Sequence, residues 1–332
     1  MKAFKSKVLG TGRYLPKKIL TNHELAKMVE TNHEWIVERT GIHERRICST
    51  EGGEWPTDMA FHATQEALKM ANLTANDIDC ILFGSVTPDM ALPNSACLLQ
   101  VKLGMTNNCA ALDIAAACSG FVYGFNMADS FIKTGLFKNV LIIGSEMLSR
   151  RVDWEDRKTC ILFGDGCGVA ILGRSEEGTS DVLSSVLSAD GTGQDFFKQV
   201  PGGAVKPITA EIIEKREHFM LMQGQEMFKV AVRTLAENGL KAIAQAGLTK
   251  EDINWVVPHQ ANIRILETTQ KRLDIPMEKF IINIDKYGNT SAATVPIAFD
   301  EAIKDGRIKR GDLVLFDAFG AGLTAGATVI RF

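Results

Sequence analysis

The chain has 332 residues, a formal net charge of −3, and 23% charged against 45% hydrophobic residues, the make-up of an ordinary globular protein. That length favours two well-buried halves over one small core, and the slight negative charge argues against a nucleic-acid partner. No apolar run reaches the roughly 18 residues a membrane span needs, and "MKAFKSKVLGTGRYLP" lacks the core of a signal peptide, so a cytosolic protein is expected.

In chain order, the first motif is Gly10-x-Gly12, which lacks the third glycine of a dinucleotide loop and is weak. "TNHE" (21–24) is a Thr-x-x-Glu capping box expected to open a helix running towards "WIVERTGI", and "TDMAFHATQEALKMANL" (57–73) has helical apolar spacing. Strands are predicted at 80–86, 110–115, 139–145 and 169–173, with "FGDGCG" (163–168) as a tight turn before the last. The polar "RSEEGTSD" (174–181) is the expected join between halves 1–174 and 175–332, and 190–207 is the best candidate for a long surface loop. Further strands are predicted at 254–259, 279–285, 312–318 and 327–332.

This alternation of strands and helices means α/β. The series strand, turn, helix, turn, strand in "LDIAAACSGFVYGFNMADSFIKTGLFKNVLIIG" recurs in "IINIDKYGNTSAATVPIAFDEAIKDGRIKRGDLVLFDA", offset by about 170 positions, which suggests a duplicated β-α-β unit.

Seven cysteines form no CxxC pair, so reduced thiols are expected rather than disulfides or a zinc site. Cys118 stands between a predicted strand and a helix, where it is either a packing residue or a nucleophile. A helix N-terminus would favour its thiolate and lower its pKa, and Gly120 and the neighbouring alanines would leave room for a substrate carbonyl. His259 ends "NWVVPH" and Asn289 lies in "YGNT", so all three are expected at the C-terminal edge of strands, where open α/β sheets place ligands. Each has a bland alternative, a backbone hydrogen bond for His259 and a turn or cap for Asn289. Together they supply a nucleophile and two donors for a developing oxyanion, a task that requires no carboxylate. The Cys-His-Asn order resembles a papain-like protease, but the cysteine lies too deep in a duplicated α/β chain for that reading.

The segments "DIAAACSGF", "VVPHQANIRI", "YGNTSAATVPIA", "EWIVERTGI" and "FGAGLTAGATVIRF" make the chain similar, end to end, to the β-ketoacyl-acyl-carrier-protein synthase III family of the thiolase superfamily. The resemblance implies a thiolase-like fold, two duplicated halves packed as α-β-α-β-α layers. It further implies a decarboxylating Claisen condensation of an acyl-CoA with malonyl-acyl-carrier protein through acyl-Cys118, with no cofactor, in a homodimer. His259 and Asn289 would hydrogen-bond the malonyl thioester oxygen, and the backbone N–H groups of Cys118 and Ala321 would form the oxyanion hole. By the same resemblance Thr31, Trp35, Arg39, Arg157, Gly224 and Asn262 would bind CoA, and Lys229, Arg264, Lys271 and Arg272 would dock the carrier protein. Leu92, Leu148, Phe163 and Met220 would line the acyl pocket. The chain departs from the family's "FGGGFTWG" at Ala321 and Ala325, and an alanine keeps the backbone donor in place only where its backbone angles suit a side chain. Two rivals stand beside this reading: a related synthase of secondary metabolism with another acceptor, and a non-catalytic acyl-carrier-binding homologue.

Overall fold

The computed structural model describes residues 4–175 and 181–332. Its first half is a five-stranded sheet built from β1 (Lys5–Tyr14), β2 (Cys80–Gly84), β3 (Ala110–Ile114), β4 (Asn139–Glu146) and β5 (Gly166–Ser175), in spatial order β1-β5-β4-β2-β3. Its second half is a four-stranded sheet from β6 (Asp181–Ala189), β7 (Trp255–Pro258), β8 (Leu313–Gly320) and β9 (Thr324–Arg331), in order β7-β8-β9-β6. Strand for strand the second order repeats the first, and so do the directions: β2 runs parallel to β4 and β4 antiparallel to β5, just as β7 runs parallel to β8 and β8 antiparallel to β9.

The equivalent of β3 is missing from the second sheet. "KFIINID" does not form the predicted strand: Phe280 makes a single parallel bridge to Val256, and the chain turns helical again at Ile284–Tyr287. Beyond that bridge the Gln260 side chain takes the backbone groups a ladder would use, donating to the Ile281 carbonyl at 3.0 Å and accepting from the Asn283 N–H at 3.3 Å.

The helices that position the site are α1 (His33–Thr40), α2 (Pro56–Ala71), α3 (Ser95–Lys102), α4 (Gly120–Lys133), α5 (Gly224–Gln245), α6 (Ile263–Leu273) and α7 (Thr294–Lys304). Layering follows from the two-residue period of a strand. Leu82, Val140, Ile142 and Leu172 face a central layer made by Phe121 and Phe125 of α4 and Val295 and Phe299 of α7, which β8 closes from the other side with Val314 and Phe316. The alternate residues Ile81, Phe83, Leu141, Ile143 and Val169 pack outward on α2 and α3, and Leu315 and Val329 pack outward on α5 and α6. The result is five layers, α-β-α-β-α.

Two strands of these sheets escaped the sequence reading, β1 and β6, as did the short pairs Lys18–Thr21 with Glu44–Ile47 and Phe197–Lys198 with Leu221–Met222. In β1 the helix-facing positions include Gly10 and Gly12, which carry no apolar signal; a Cβ there would stand 2.2 Å from the Ala67 carbonyl oxygen and 2.0 Å from that of Ala63. The Gly-x-Gly motif is therefore the seat of α2 on the sheet and not a nucleotide loop. The capping box is real but caps a single turn, Asn22–Leu25; α1 has its own cap, Asn32, whose side chain accepts from the Trp35 N–H at 2.8 Å. The expected join falls largely outside the described residues, and β5 runs to Ser175, one residue past the expected boundary.

Gly120 does not clear room for a substrate. A Cβ there would touch the Gly84 Cα at 3.3 Å and the Ala292 Cβ at 3.4 Å, so the position serves to press α4 against the sheet and the turn before α7. Gly144 is tighter still, since its Cβ would lie 2.1 Å from the Ala292 carbonyl oxygen. Gly144→Ala is expected to lower stability by about 1–3 kcal/mol through overpacking, read as a reduced melting temperature, and to push apart the two turns that form the site.

Candidate active site

Cys118 sits in a one-turn 3₁₀ helix, Ala117–Ser119, between β3 and α4. The equivalent turn of the second copy, Ser291–Ala293, precedes α7. Each begins with a non-glycine residue in the left-handed region, Ala117 at φ 44° and Ser291 at φ 51°. Such backbone costs on the order of 1–3 kcal/mol per residue and persists where surrounding packing over-determines it. Here that packing is the abutment of the two turns through Gly84, Gly144 and Ala292.

His259 follows the last residue of β7, and its N–H donates to the Asp317 carbonyl of β8 at 2.7 Å. Its ring is buried, which pushes its pKa down to about 3 and keeps the imidazole neutral. Nδ1 lies 2.7 Å from the Thr294 hydroxyl. The same hydroxyl donates to the Ser291 carbonyl at 2.8 Å, so the ring contact serves either imidazole tautomer. Only the tautomer that carries its proton on Nε2, with Nδ1 accepting from Thr294, can donate a hydrogen bond from Nε2.

Asn289 is clamped by its backbone, its N–H donating to the Leu162 carbonyl at 2.9 Å and its carbonyl accepting from the Gly164 N–H at 3.0 Å. Its Oδ1 accepts from the Ser291 N–H at 2.9 Å, which leaves Nδ2 as the donor to offer. Cys118, His259 and Asn289 line one cavity, together with Gly224, Phe228 and Asn262. Cys118 and Phe163 also line a second cavity, with Leu148, Met220, Phe197 and Ala321. The sulfur thus stands between two spaces.

The expected depression of the cysteine pKa is overturned. Cys118 is almost fully buried, and desolvation pushes its thiol up to about 12, with the neighbouring Ser291 opposing the rise and the negative charge of Glu146 adding to it. All seven cysteines are free thiols, as expected from their spacing.

Family models match on both sides of this site. That of 3-oxoacyl-[acyl-carrier-protein] synthase III covers residues 112–191, and that of its C-terminal part covers residues 243–332. The β-ketoacyl-[acyl-carrier-protein] synthase III of Caldanaerobacter subterraneus subsp. tengcongensis is 50% identical over 325 residues, 98% of this chain and 97% of that one. The crystal structure of the Aquifex aeolicus 3-oxoacyl-[acyl-carrier-protein] synthase III superposes with a TM-score of 0.91 at 47% identity, covering 98% of this chain and 100% of that one. The chain belongs to the synthase III family. It is a condensing acyltransferase with the thiolase fold. The priming β-ketosynthase of the R1128 polyketide pathway is a more distant relative, 30% identical with a TM-score of 0.90 over 99% of this chain and 96% of that one.

The remaining synthase III positions divide into those that reach the cavities and those that do not. Leu148, Phe163 and Met220 line the second cavity, but Leu92 is 85% exposed and lines neither, because the segment from β2 to α3 carries it over the surface. Leu92 is therefore no part of an acyl pocket within this chain. Gly224 and Asn262 reach the first cavity, whereas Thr31, Trp35, Arg39 and Arg157 lie outside it. Three of these cluster, Trp35 and Arg39 on α1 and Arg157 from the turn between β4 and β5: the guanidinium carbons of Arg39 and Arg157 stand 4.7 and 5.2 Å from the Trp35 ring centre. Asn262 ties that cluster to the cavity, its Nδ2 donating to the Arg39 carbonyl at 2.9 Å while its Oδ1 caps α6. Thr31 Oγ1 is buried without a hydrogen-bond partner among the described residues.

Lys229 on α5 and Arg264, Lys271 and Arg272 on the adjoining α6 are all exposed. Lys229 pairs with Glu226 at 2.9 Å, while the Glu267–Lys271 pair that the i,i+4 spacing allows is not formed among the described residues. Ala321 does not have a positive φ, so alanine fits the backbone where the family has glycine. The closest approach falls on Gly320 instead, where a Cβ would stand 2.6 Å from the Cys118 backbone nitrogen.

Three groups at this site had no sequence signal of function. The 190–207 segment is more than surface: Gln194, Phe197 and Gln199 from it line the second cavity. Ser291 holds Asn289 and Glu146 at once and lines the second cavity with Cys118. Glu146, at the end of β4, is completely buried, and nothing in "NVLIIGSE" distinguishes it from the last residue of a strand.

Proposed function

We propose that the chain joins an acyl-CoA primer to malonyl-acyl-carrier protein and so starts fatty acid synthesis. The observation that carries this reading is the convergence of Cys118, His259 and Asn289 on one cavity, with the sulfur at its boundary with a second. The Cys118 sulfur attacks the thioester carbonyl; the new C–S bond holds the acyl group as CoA leaves with the electron pair of the old one. The acyl chain then lies towards Leu148, Phe163 and Met220, and the first cavity is vacated for the malonyl thioester. Loss of CO₂ leaves the C–C electron pair as an enolate, whose oxygen takes hydrogen bonds from Asn289 Nδ2 and His259 Nε2–H. The enolate carbon attacks the acyl-cysteine carbonyl and expels the Cys118 sulfur, releasing the 3-oxoacyl-carrier protein. Every atom required comes from the two substrates, so no cofactor enters.

Trp35 supplies a face for a base and Arg39 and Arg157 supply cations for phosphates, the chemistry an incoming CoA nucleotide calls for. Lys229, Arg264, Lys271 and Arg272 suit an acidic carrier protein arriving at the mouth marked by Gly224 and Asn262. In this proposal the protein works as a cytosolic homodimer. Among the described residues no helix is long and apolar enough to cross a membrane. The weaker relation to the polyketide priming enzyme, 30% against 50% identity, leaves fatty acid initiation as the reading to test.

Incubation with radiolabelled acetyl-CoA should place one label on Cys118, and malonyl-acyl-carrier protein should then discharge it as a 3-oxoacyl product. A protein that never takes label is a binding homologue. One whose label malonyl-acyl-carrier protein cannot remove uses another acceptor.

A further inference from the structure

The Cys118 thiol must lose a proton in a dry site, and the neutral imidazole beside it is badly placed to take it. In the tautomer that serves an enolate, His259 already carries a proton on Nε2 and uses Nδ1 to accept from Thr294. Burial also makes that ring a poor base, its pKa pushed down to about 3.

On the other side of the sulfur stands a carboxylate. Ser291 lines the same cavity as Cys118, and its Oγ donates to Glu146 Oε1 at 3.0 Å. Glu146 has no cationic partner among the described residues; it is held by hydrogen bonds from Thr87 Oγ1 at 2.5 Å, Ser85 Oγ at 3.2 Å and the Val86 N–H at 3.2 Å. Desolvation raises its pKa to about 7, against the pull of those donors. A carboxylate kept buried on neutral donors alone is a costly arrangement for a fold with no use for the charge.

We propose that Glu146 is a positioning residue for this reaction, taking the Cys118 proton through the Ser291 hydroxyl and returning it when the cysteine is expelled; this rests on the reading of Cys118 as the nucleophile. The S–H bond breaks and its proton passes to Ser291 Oγ as the Ser291 proton passes to Glu146 Oε1. The negative charge moves from carboxylate to sulfur, and the buried site keeps the same total charge. Transfer to His259 would instead create two new charges away from water. After condensation the expelled thiolate regains a proton from Ser291, and Ser291 regains one from Glu146. The left-handed Ser291 backbone, with its N–H on Asn289 and its hydroxyl on Glu146, fixes the relay beside Cys118 in their shared cavity.

The test is the rate of Cys118 acylation by acetyl-CoA between pH 5 and 9, followed by intact-protein mass. Below its pKa Glu146 is already protonated and has no room for the thiol proton, so the wild-type rate should fall about tenfold per pH unit as pH drops beneath about 7. Glu146→Gln should lose that acid limb and acylate at least about tenfold more slowly at pH 8. Ser291→Ala, which keeps the carboxylate, should lose the limb too, and it decides the matter if the Gln variant does not fold. His259→Ala should keep the limb where it was. An unchanged limb in Glu146→Gln or Ser291→Ala, or a limb lost only in His259→Ala, overturns the proposal. Failure of the wild type to acylate Cys118 at all overturns the nucleophile assignment itself, and the proposal with it.

Discussion

Cys118→Ser is expected to fold and to hold no acyl group. Intact-protein mass after incubation with acetyl-CoA should show no added acetyl, and overall condensation should fall by roughly 10⁴-fold or more, as when a nucleophile is removed from a group of residues that act as a unit. The reason lies in the burial that already pushes the thiol up to about 12. A hydroxyl is a still weaker acid, so in the same dry pocket it does not ionise, and the smaller oxygen also withdraws the nucleophile from the substrate carbonyl. Isosteric replacement leaves the abutting turns intact, and an unchanged melting temperature should confirm that the loss is chemical. Retention of a full acetyl adduct in this variant would remove Cys118 from the mechanism.

The second large effect is expected from the two donors. Asn289→Ala and His259→Ala should each slow discharge of a preformed acetyl-enzyme by malonyl-acyl-carrier protein by about 10²–10³-fold, the usual cost of deleting one preorganised donor. Single-turnover measurements should show discharge falling more than acylation, because both donors are aimed at the enolate oxygen. Orientation is what makes them worth so much. Asn289 cannot flip while its Oδ1 accepts from the Ser291 N–H at 2.9 Å, and His259 is held on Thr294 at 2.7 Å. Asn289→Asp should be worse than Asn289→Ala, since it sets a negative charge where negative charge develops. Equal losses in the two half-reactions would place these residues in binding rather than in enolate stabilisation.

How legible the molecule is in its sequence varies with how local the signal is. The strands at 80–86, 139–145 and 312–318 announce themselves because they are buried on both faces and read as continuous apolar runs. β1 is silent, since close packing on α2 replaced its inward apolar residues with Gly10 and Gly12. "KFIINID" misleads in the opposite sense: its composition is that of a strand, yet after one bridge to β7 its backbone groups are taken by the Gln260 side chain. Leu92 shows the same limit at the site, for a leucine carries no mark of which surface it will face.

What the sequence determined by itself is the set of reactive groups and their relation to the repeat: Cys118 and His259 after strands and Asn289 at the matching turn before a helix, identifiable because side-chain chemistry and turn position are local properties; that no strand precedes Asn289 came from the structure. Only the tertiary structure decided the state of those groups. A protonation equilibrium depends on the water removed and the charges brought near, and both are properties of packing between distant segments. Glu146, Cys118 and Ser291 come from three separate stretches of chain, and neither the thiol pushed up to about 12 nor the carboxyl raised to about 7 exists until the fold brings them together.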